Sequence, residues 1–256
     1  MTAQDGWDPD QYNRFAAERE APFWDLVDLL VPADSPRLVD LGCGDGRLTA
    51  ELHGVVGASA TLGVDRSPAM IAGAAAHAGG SVQFELGDIG TWESPGDYDI
   101  VVANASLQWV PDHRAVLERW AGSLRPGGQL AVQVPSNADH PSHRVAAELA
   151  SELLNEPPPD PVDQNVLRPE EYALVLASLG FEVQHVRLQV YLHRLASSSE
   201  VVEWVKGTSL TRFKESFGEG WPNFVELYRS RLVTLLGDST PYLYAFKRIL
   251  MWGRLA

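Results

Sequence analysis

The feature that most constrains this chain is the apolar run Arg37-Leu38-Val39-Asp40-Leu41 followed at once by Gly42-Cys43-Gly44-Asp45-Gly46. A short apolar segment of this kind reads as a buried strand. Glycines at alternate positions let the backbone turn tightly and approach a ligand where a Cβ would clash. The helical pattern that follows, Arg47 to Val56, offers free backbone N–H groups at its start. Strand, glycine turn and helix in that order open a parallel α/β sheet.

The rest of the first half repeats the theme. Apolar runs at 60–64, 82–86, 98–103 and 129–134 predict further strands, with helix-like stretches at 47–56, 68–77 and 113–124 between them. Short strands alternating with helices predict right-handed βαβ units. Gly127-Gly128 after Pro126 predicts a break before the fifth strand. Beyond Pro135 the pattern turns helical, at 142–154, 170–179, 199–206 and 223–236. An alternating strand is expected at 181–195 and a last strand at 242–252. The expected fold is α/β: a doubly wound, mostly parallel seven-stranded sheet with helical insertions in the C-terminal half. The Pro-rich loop at 157–161 is too short for an interdomain linker. One domain over 1–256 is therefore expected, with a helical lid at 1–30, a cofactor-binding core at 37–135, and the remaining strands with a helical substrate cap at 136–256.

Composition narrows the function. With 20 Lys and Arg against 34 Asp and Glu, the net charge is −14. That argues against a nucleic-acid partner, since such binding neutralises phosphates with a basic face. A small substrate is expected instead, and an anionic one would need a few locally placed arginines. No apolar stretch approaches the roughly 20 residues of a membrane span, and the first residues are acidic and polar. The single cysteine, Cys43, excludes an internal disulfide or a cysteine-rich zinc site. These features point to the cytoplasm and to no membrane. Oligomeric state is not legible. His140 and His143 share helical spacing, but no third ligand is evident and no metal is expected.

The turn reads Gly-x-Gly-x-Gly, whereas a dinucleotide fingerprint reads Gly-x-Gly-x-x-Gly and seats a pyrophosphate. Asp45 inside the turn would repel phosphate and suits a cationic ligand. Asp65 ends the second strand 19 positions after Gly46 (65 − 46), where a carboxylate can accept both hydroxyls of a ribose. Asp88 is placed at the end of the third strand, able to accept an adenine amino group, with Met70 and Ile89 as apolar surfaces. Singly, these residues read as caps or core. In register they describe a crevice for S-adenosylmethionine. A nicotinamide-dependent oxidoreductase would share the sheet and Asp65, but the glycine spacing and Asp45 speak against it.

At these residues the sequence resembles the class I S-adenosylmethionine-dependent methyltransferases, with their Rossmann-like fold, and more closely the trans-aconitate methyltransferase family. The closer resemblance lies in Trp7-Asp8-Pro9 with Tyr12, in 15–19, in Val39 to Gly44 and in Ser67-Pro68-Ala69-Met70. It continues in Ala103-Asn104-Ala105-Ser106-Leu107-Gln108-Trp109, in Pro111-Asp112-His113 and in Leu130 to Pro135. It implies a cofactor pocket from Gly42, Gly44, Asp65, Met70, Asp88, Ile89 and Asn104, flanked by Asp40 and Arg66. It also implies methyl transfer to a carboxylate of a small polycarboxylic acid, leaving S-adenosyl-L-homocysteine. Where the family has Leu-Arg-Pro, this chain reads Leu210-Thr211-Arg212, which displaces the arginine by one position.

A carboxylate is already an anion at neutral pH, so accepting a methyl group requires no general base. Alignment is then the task, and arginines would hold the remaining carboxylates. The candidates are Arg19, Arg212 and Arg248, with Tyr12, Trp109, Tyr191 and His193 shaping the pocket. His193 would serve as a base for a hydroxyl or amine acceptor, or is a satisfied structural histidine. A non-catalytic protein that binds S-adenosylmethionine is the remaining alternative.

Overall fold

The computed structural model describes residues 16–256, with side chains from Glu20 onward. The described chain runs α1 (Ala16–Val27), β1 (Arg37–Leu41), α2 (Arg47–Val56), β2 (Ala60–Asp65), α3 (Pro68–Ala74), β3 (Val82–Leu86), β4 (Tyr98–Asn104), α4 (His113–Gly122) and β5 (Leu124–Pro135). There follow α5 (Pro141–Leu153), α6 (Pro161–Asn165), α7 (Pro169–Ser178), β6 (Phe181–Leu195), α8 (Glu200–Lys206), α9 (Lys214–Phe217), α10 (Trp221–Leu236) and β7 (Tyr242–Leu255). The expected strands and the principal expected helices of the described residues are present. The helix expected at 68–77 tightens after Ala74 into a 3₁₀ turn, Ala75–His77.

The described residues form a seven-stranded sheet in the order β3-β2-β1-β4-β5-β7-β6. Pairs β1/β2, β1/β4, β2/β3 and β4/β5 are parallel, and β5/β7 is antiparallel. Chain order reverses between β1 and β4, and it is outside the carboxyl ends of strands at such a switch point that open α/β sheets bind ligands.

Two sequence expectations are corrected. Gly127-Gly128 does not separate elements but lies inside β5, where Tyr98 pairs with Leu124 and Ile100 with Gln129. The chain thus advances two residues on β4 against five on β5, a bulge that Gly127 serves with a φ of 76°. Asp88 does not end β3, which stops at Leu86. Gly87 N–H donates to Asp65 C=O at 2.9 Å, and Asp88 then opens a turn in which its Oδ1 accepts Gly90 N–H at 2.8 Å.

The chain divides into two compact units. One gathers Ala21–Pro135, Asn165–Gln189 and Arg248–Ala256; the other is built chiefly from Ser136–Gln164 and Val190–Lys247. The core of the first comprises inward residues of the parallel strands, among them Val39, Leu41, Val101, Ala103, Leu130 and Val132, with Trp120 of α4 and Met251 of β7. The second packs α5, α8 and α10 around Trp204, Phe213, Phe224, Tyr228 and Tyr244, all almost fully buried. Tyr228 Oη donates to Ser142 C=O at 2.9 Å and ties α10 to α5. No helix among the described residues is long and apolar enough to cross a membrane.

Candidate active site

The turn after β1 is built from three glycines in left-handed conformation, Gly42, Gly44 and Gly46, at φ 88°, 57° and 77°. Each answers a different demand. A Cβ on Gly42 would lie 2.2 Å from Ser106 Cβ, and one on Gly46 would lie 2.6 Å from Phe84 Cζ. A Cβ on Gly44 would meet nothing within 4 Å. Gly42 and Gly46 therefore admit protein neighbours, while Gly44 borders open space at the switch point. The turn is pinned to β2, with Gly42 and Cys43 N–H donating to Val64 C=O at 2.7 and 3.1 Å.

Asp65 ends β2, as its position in the sequence predicts. Its Oδ2 accepts Gly44 N–H at 3.0 Å and its Oδ1 accepts Ser67 N–H at 2.9 Å. One carboxylate thus ties the glycine turn to the start of α3, and each oxygen keeps a lone pair for a further donor. Ser67 caps α3 by accepting Met70 N–H at 3.2 Å. Met70 is half-buried, Ile89 buried, and Arg66 and Asp88 exposed. Asp45 is exposed and accepts Arg47 N–H at 3.3 Å.

Asp40, one residue short of the end of β1, is 3% exposed and accepts Thr49 Oγ1–H at 2.5 Å. Burial pushes its carboxyl up to about 6, the Thr49 hydrogen bond opposes the rise and the nearby Asp65 charge adds to it. Burial likewise pushes the Cys43 thiol far up, which makes it a packing group and not a nucleophile.

At the end of β4, Asn104 Oδ1 is buried and accepts no hydrogen bond. The next residue, Ala105, holds a φ of 51°, strain at a non-glycine of the kind that collects at functional sites. Ser106 Oγ donates to Leu41 C=O at 2.6 Å and joins this segment to β1. His113 anchors its far end: Nε2–H donates to Leu107 C=O at 2.9 Å, so Nδ1 accepts from Tyr172 Oη at 2.6 Å. Burial holds His113 down to about 4, neutral at physiological pH. Sequence reasoning missed the contacts of Thr49, Ser106 and His113: Ser106 and His113 lie in the family-like stretches, but their partners Leu41 and Tyr172 are set only by the fold.

The donor set fits S-adenosylmethionine. A carboxylate with spare lone pairs suits a ribose, and a buried amide oxygen without a donor suits an ammonium group. Beside them the Cβ position of Gly44 is clear to 4 Å, which leaves the backbone there open to a ligand. All of these residues lie in the first unit.

Among the acceptor-site candidates, Arg248 of β7 is 5% exposed and its Nη1 donates to Gln133 Oε1 at 3.2 Å. Trp109 is half-buried in the 3₁₀ turn Leu107–Trp109. Arg212, Tyr191 and His193 belong to the other unit. His193 stacks on Trp204 with ring centroids 4.7 Å apart, beside Tyr191 and Phe246. Arg212 Nη1 donates to Ser209 C=O at 2.6 Å and pairs with Asp160 at 3.3 Å, while its Nε and Nη2 are buried without partners. Asp160 is shared with His143 Nδ1 at 2.6 Å. Burial of Asp160 opposes ionisation, but His143 and Arg212 outweigh it and hold the carboxyl below the usual range. Tyr12 and the side chain of Arg19 lie outside the described residues. Among the described residues no group of His, Cys, Asp or Glu could hold a metal ion.

The sequence matches the methyltransferase domain family over residues 12–186. It is 38% identical to the trans-aconitate 2-methyltransferase of Mycobacterium sp. strain KMS, over 97% of this chain and 99% of that one. It is also 38% identical to the trans-aconitate 2-methyltransferase of Deinococcus radiodurans, over 95% and 96%. The fold resembles that of Haemonchus contortus phosphoethanolamine N-methyltransferase 2, solved with S-adenosyl-L-methionine, with a TM-score of 0.61 at 16% identity over 96% of this chain and 56% of that one. An α/β sheet with its switch point at a three-glycine turn, in a chain related over nearly its whole length to such enzymes, belongs to the trans-aconitate 2-methyltransferase family of S-adenosylmethionine-dependent methyltransferases.

Proposed function

We propose that this methyltransferase esterifies one carboxylate of trans-aconitate or a closely similar small polycarboxylic acid. The observation that carries the reading is kinship over almost the entire chain, C-terminal half included, with enzymes named for that acceptor. The cofactor site is assigned to Asp40, Gly42, Gly44, Asp65, Arg66, Met70, Asp88, Ile89 and Asn104. The acceptor site is assigned to Tyr12, Arg19, Trp109, Tyr191, His193, Arg212 and Arg248. Both units serve one methyltransferase domain of the cytoplasm, with no nucleic-acid partner.

The cofactor, when bound, supplies an electrophilic methyl group. Asp65 would hold the ribose, Asn104 Oδ1 would accept from the ammonium group, and Asp40 would contribute negative charge beneath it. Arg248 would hold a carboxylate of the acceptor and help fix which oxygen faces the methyl group. Because the attacking carboxylate is already ionised, no residue need take a proton. Orientation of the two partners in a pocket closed to water can supply roughly 7–11 kcal/mol. His193, stacked in an aromatic cluster, then shapes the pocket and takes no part in proton transfer.

The test is incubation with S-adenosylmethionine and a panel of trans-aconitate, citrate, isopropylmalate, hydroxy acids, alcohols and amines, read by mass spectrometry. A monomethyl ester of trans-aconitate as the leading product is expected. Methylation confined to alcohols or amines, or no product despite cofactor binding, overturns the reading.

A further inference from the structure

The segment Leu130–Pro135 carries a buried polar residue to which the reaction outlined above gives no task. Gln133 on β5 is 0% exposed. It stands level with Asn104 in the parallel pairing with β4, and Ala105 N–H donates to its C=O at 2.9 Å. On the other side β7 runs antiparallel, Gln133 facing Leu250 and Pro135 facing Arg248. Residues two apart on a strand share a face, so Gln133 and Arg248 point the same way and meet at 3.2 Å.

A guanidinium only donates, so the atom facing Arg248 is the amide oxygen and the amide nitrogen is turned elsewhere. That Nε2 is buried and donates to nothing. Buried amide N–H groups left unsatisfied are costly and call for a partner. Its place in the sheet says which kind. Reading across the carboxyl ends of the parallel strands, the glycine turn follows β1, Asn104 ends β4, Gln133 lies one strand further out, and Arg248 follows on β7. The cofactor residues occupy the β1–β4 side. The orphaned atom there, Asn104 Oδ1, is an acceptor; the orphaned atom on β5 is a donor, beside a buried cation.

We propose that Gln133 is a recognition residue for the methyl acceptor: its Nε2–H donates to a carboxylate oxygen of the acceptor while its Oε1 holds the Arg248 guanidinium beside the same anion. The inference rests on the carboxylate-acceptor reading. The competing arrangement is internal, a rotation that lets Gln133 Nε2 donate to Asn104 Oδ1. Gln133 would then be a clasp on the cofactor side, and its loss would weaken cofactor binding.

The test compares the parent with Gln133→Met, which keeps the volume and removes the donor, and Gln133→Glu, which keeps an acceptor for Arg248 while replacing the donor by negative charge. The KM for trans-aconitate and the calorimetric affinity for S-adenosylhomocysteine are measured for each. Gln133→Met is expected to raise the KM roughly tenfold to a hundredfold, the span of one hydrogen bond to a charged group, with cofactor affinity unchanged. Gln133→Glu is expected to raise it further, and its retained pairing with Arg248 keeps the comparison available should the Met variant fold poorly. A KM within about twofold of the parent in the folded variants overturns the inference, as does an equal loss of cofactor affinity. A parent that methylates no carboxylic acid overturns the acceptor reading and this inference with it, a result separable from an active parent with indifferent variants.

Discussion

Asp40 is a carboxylate kept where burial penalises its charge. Burial raises its folded pKa to about 6, above the ordinary aspartate value of 3.8, so between those pH values the folded chain binds more protons than the unfolded one. Stability contributed by this group therefore falls as pH rises from about 4 to about 6, reaching a cost of roughly 3 kcal/mol above that window. Asn at this position keeps an oxygen for Thr49 and loses the charge. Asp40→Asn should match the parent near pH 4 and exceed it in denaturant midpoint at pH 7.5. The same variant should bind S-adenosylmethionine less tightly, because the buried negative charge proposed beneath the ligand's ammonium group is gone. A stability difference independent of pH would contradict the burial argument. The sequence made Asp40 visible as the residue before a glycine turn. It could not show that Thr49, nine positions on, supplies the group's hydrogen bond, because that contact depends on how α2 docks on β1.

The glycine turn is one element with two separable duties, and single substitutions should separate them. Gly42→Ala forces a Cβ to 2.2 Å from Ser106 Cβ at a φ of 88°, so the clash falls on the joint between β1 and the segment after β4. The expected cost is about 2–4 kcal/mol of stability, from strain and overpacking together. Ser106→Gly in the same chain should recover part of it. Gly44→Ala meets no neighbour, so about 1–2 kcal/mol of left-handed strain is expected, together with a disproportionate loss of cofactor affinity. Thermal melts and calorimetry on the two variants decide the matter, and equal effects on both readouts would show that the turn has no such division. At this scale the sequence was most legible where periodicity and glycine chemistry act locally. The strands β1 to β4, the turn and the place of Asp65 follow from residues a few positions apart. The Gly127-Gly128 pair misled because the same residues that end elements also build bulges, and only the β4 partner reveals which. Gln133 and the Asp160–Arg212 pair stayed hidden for a related reason: each is defined by a partner far away in sequence, and Gln133 sits in an otherwise apolar run that reads as plain core.

The whole molecule carries a net charge of −14, an unusual setting for an enzyme whose proposed acceptor is a polyanion. Long-range forces should then repel the substrate, while attraction would come from locally placed guanidinium groups such as the proposed Arg248, which is 5% exposed. Salt treats the two contributions differently. The Debye length shrinks from about 30 Å at 0.01 M to about 8 Å at 0.15 M, which screens the surface field but reaches buried pairs much less. Adding salt over that range therefore removes repulsion on approach and leaves the contacts in the site largely intact. The expected outcome is a kcat/KM for trans-aconitate that stays level or rises, by roughly two- to fivefold, between those ionic strengths. The KM for S-adenosylmethionine, a net cation drawn to an acidic protein, should instead rise modestly over the same range. A steep fall in kcat/KM for the acid would instead require a cationic approach path and would count against substrate capture by a few buried arginines alone.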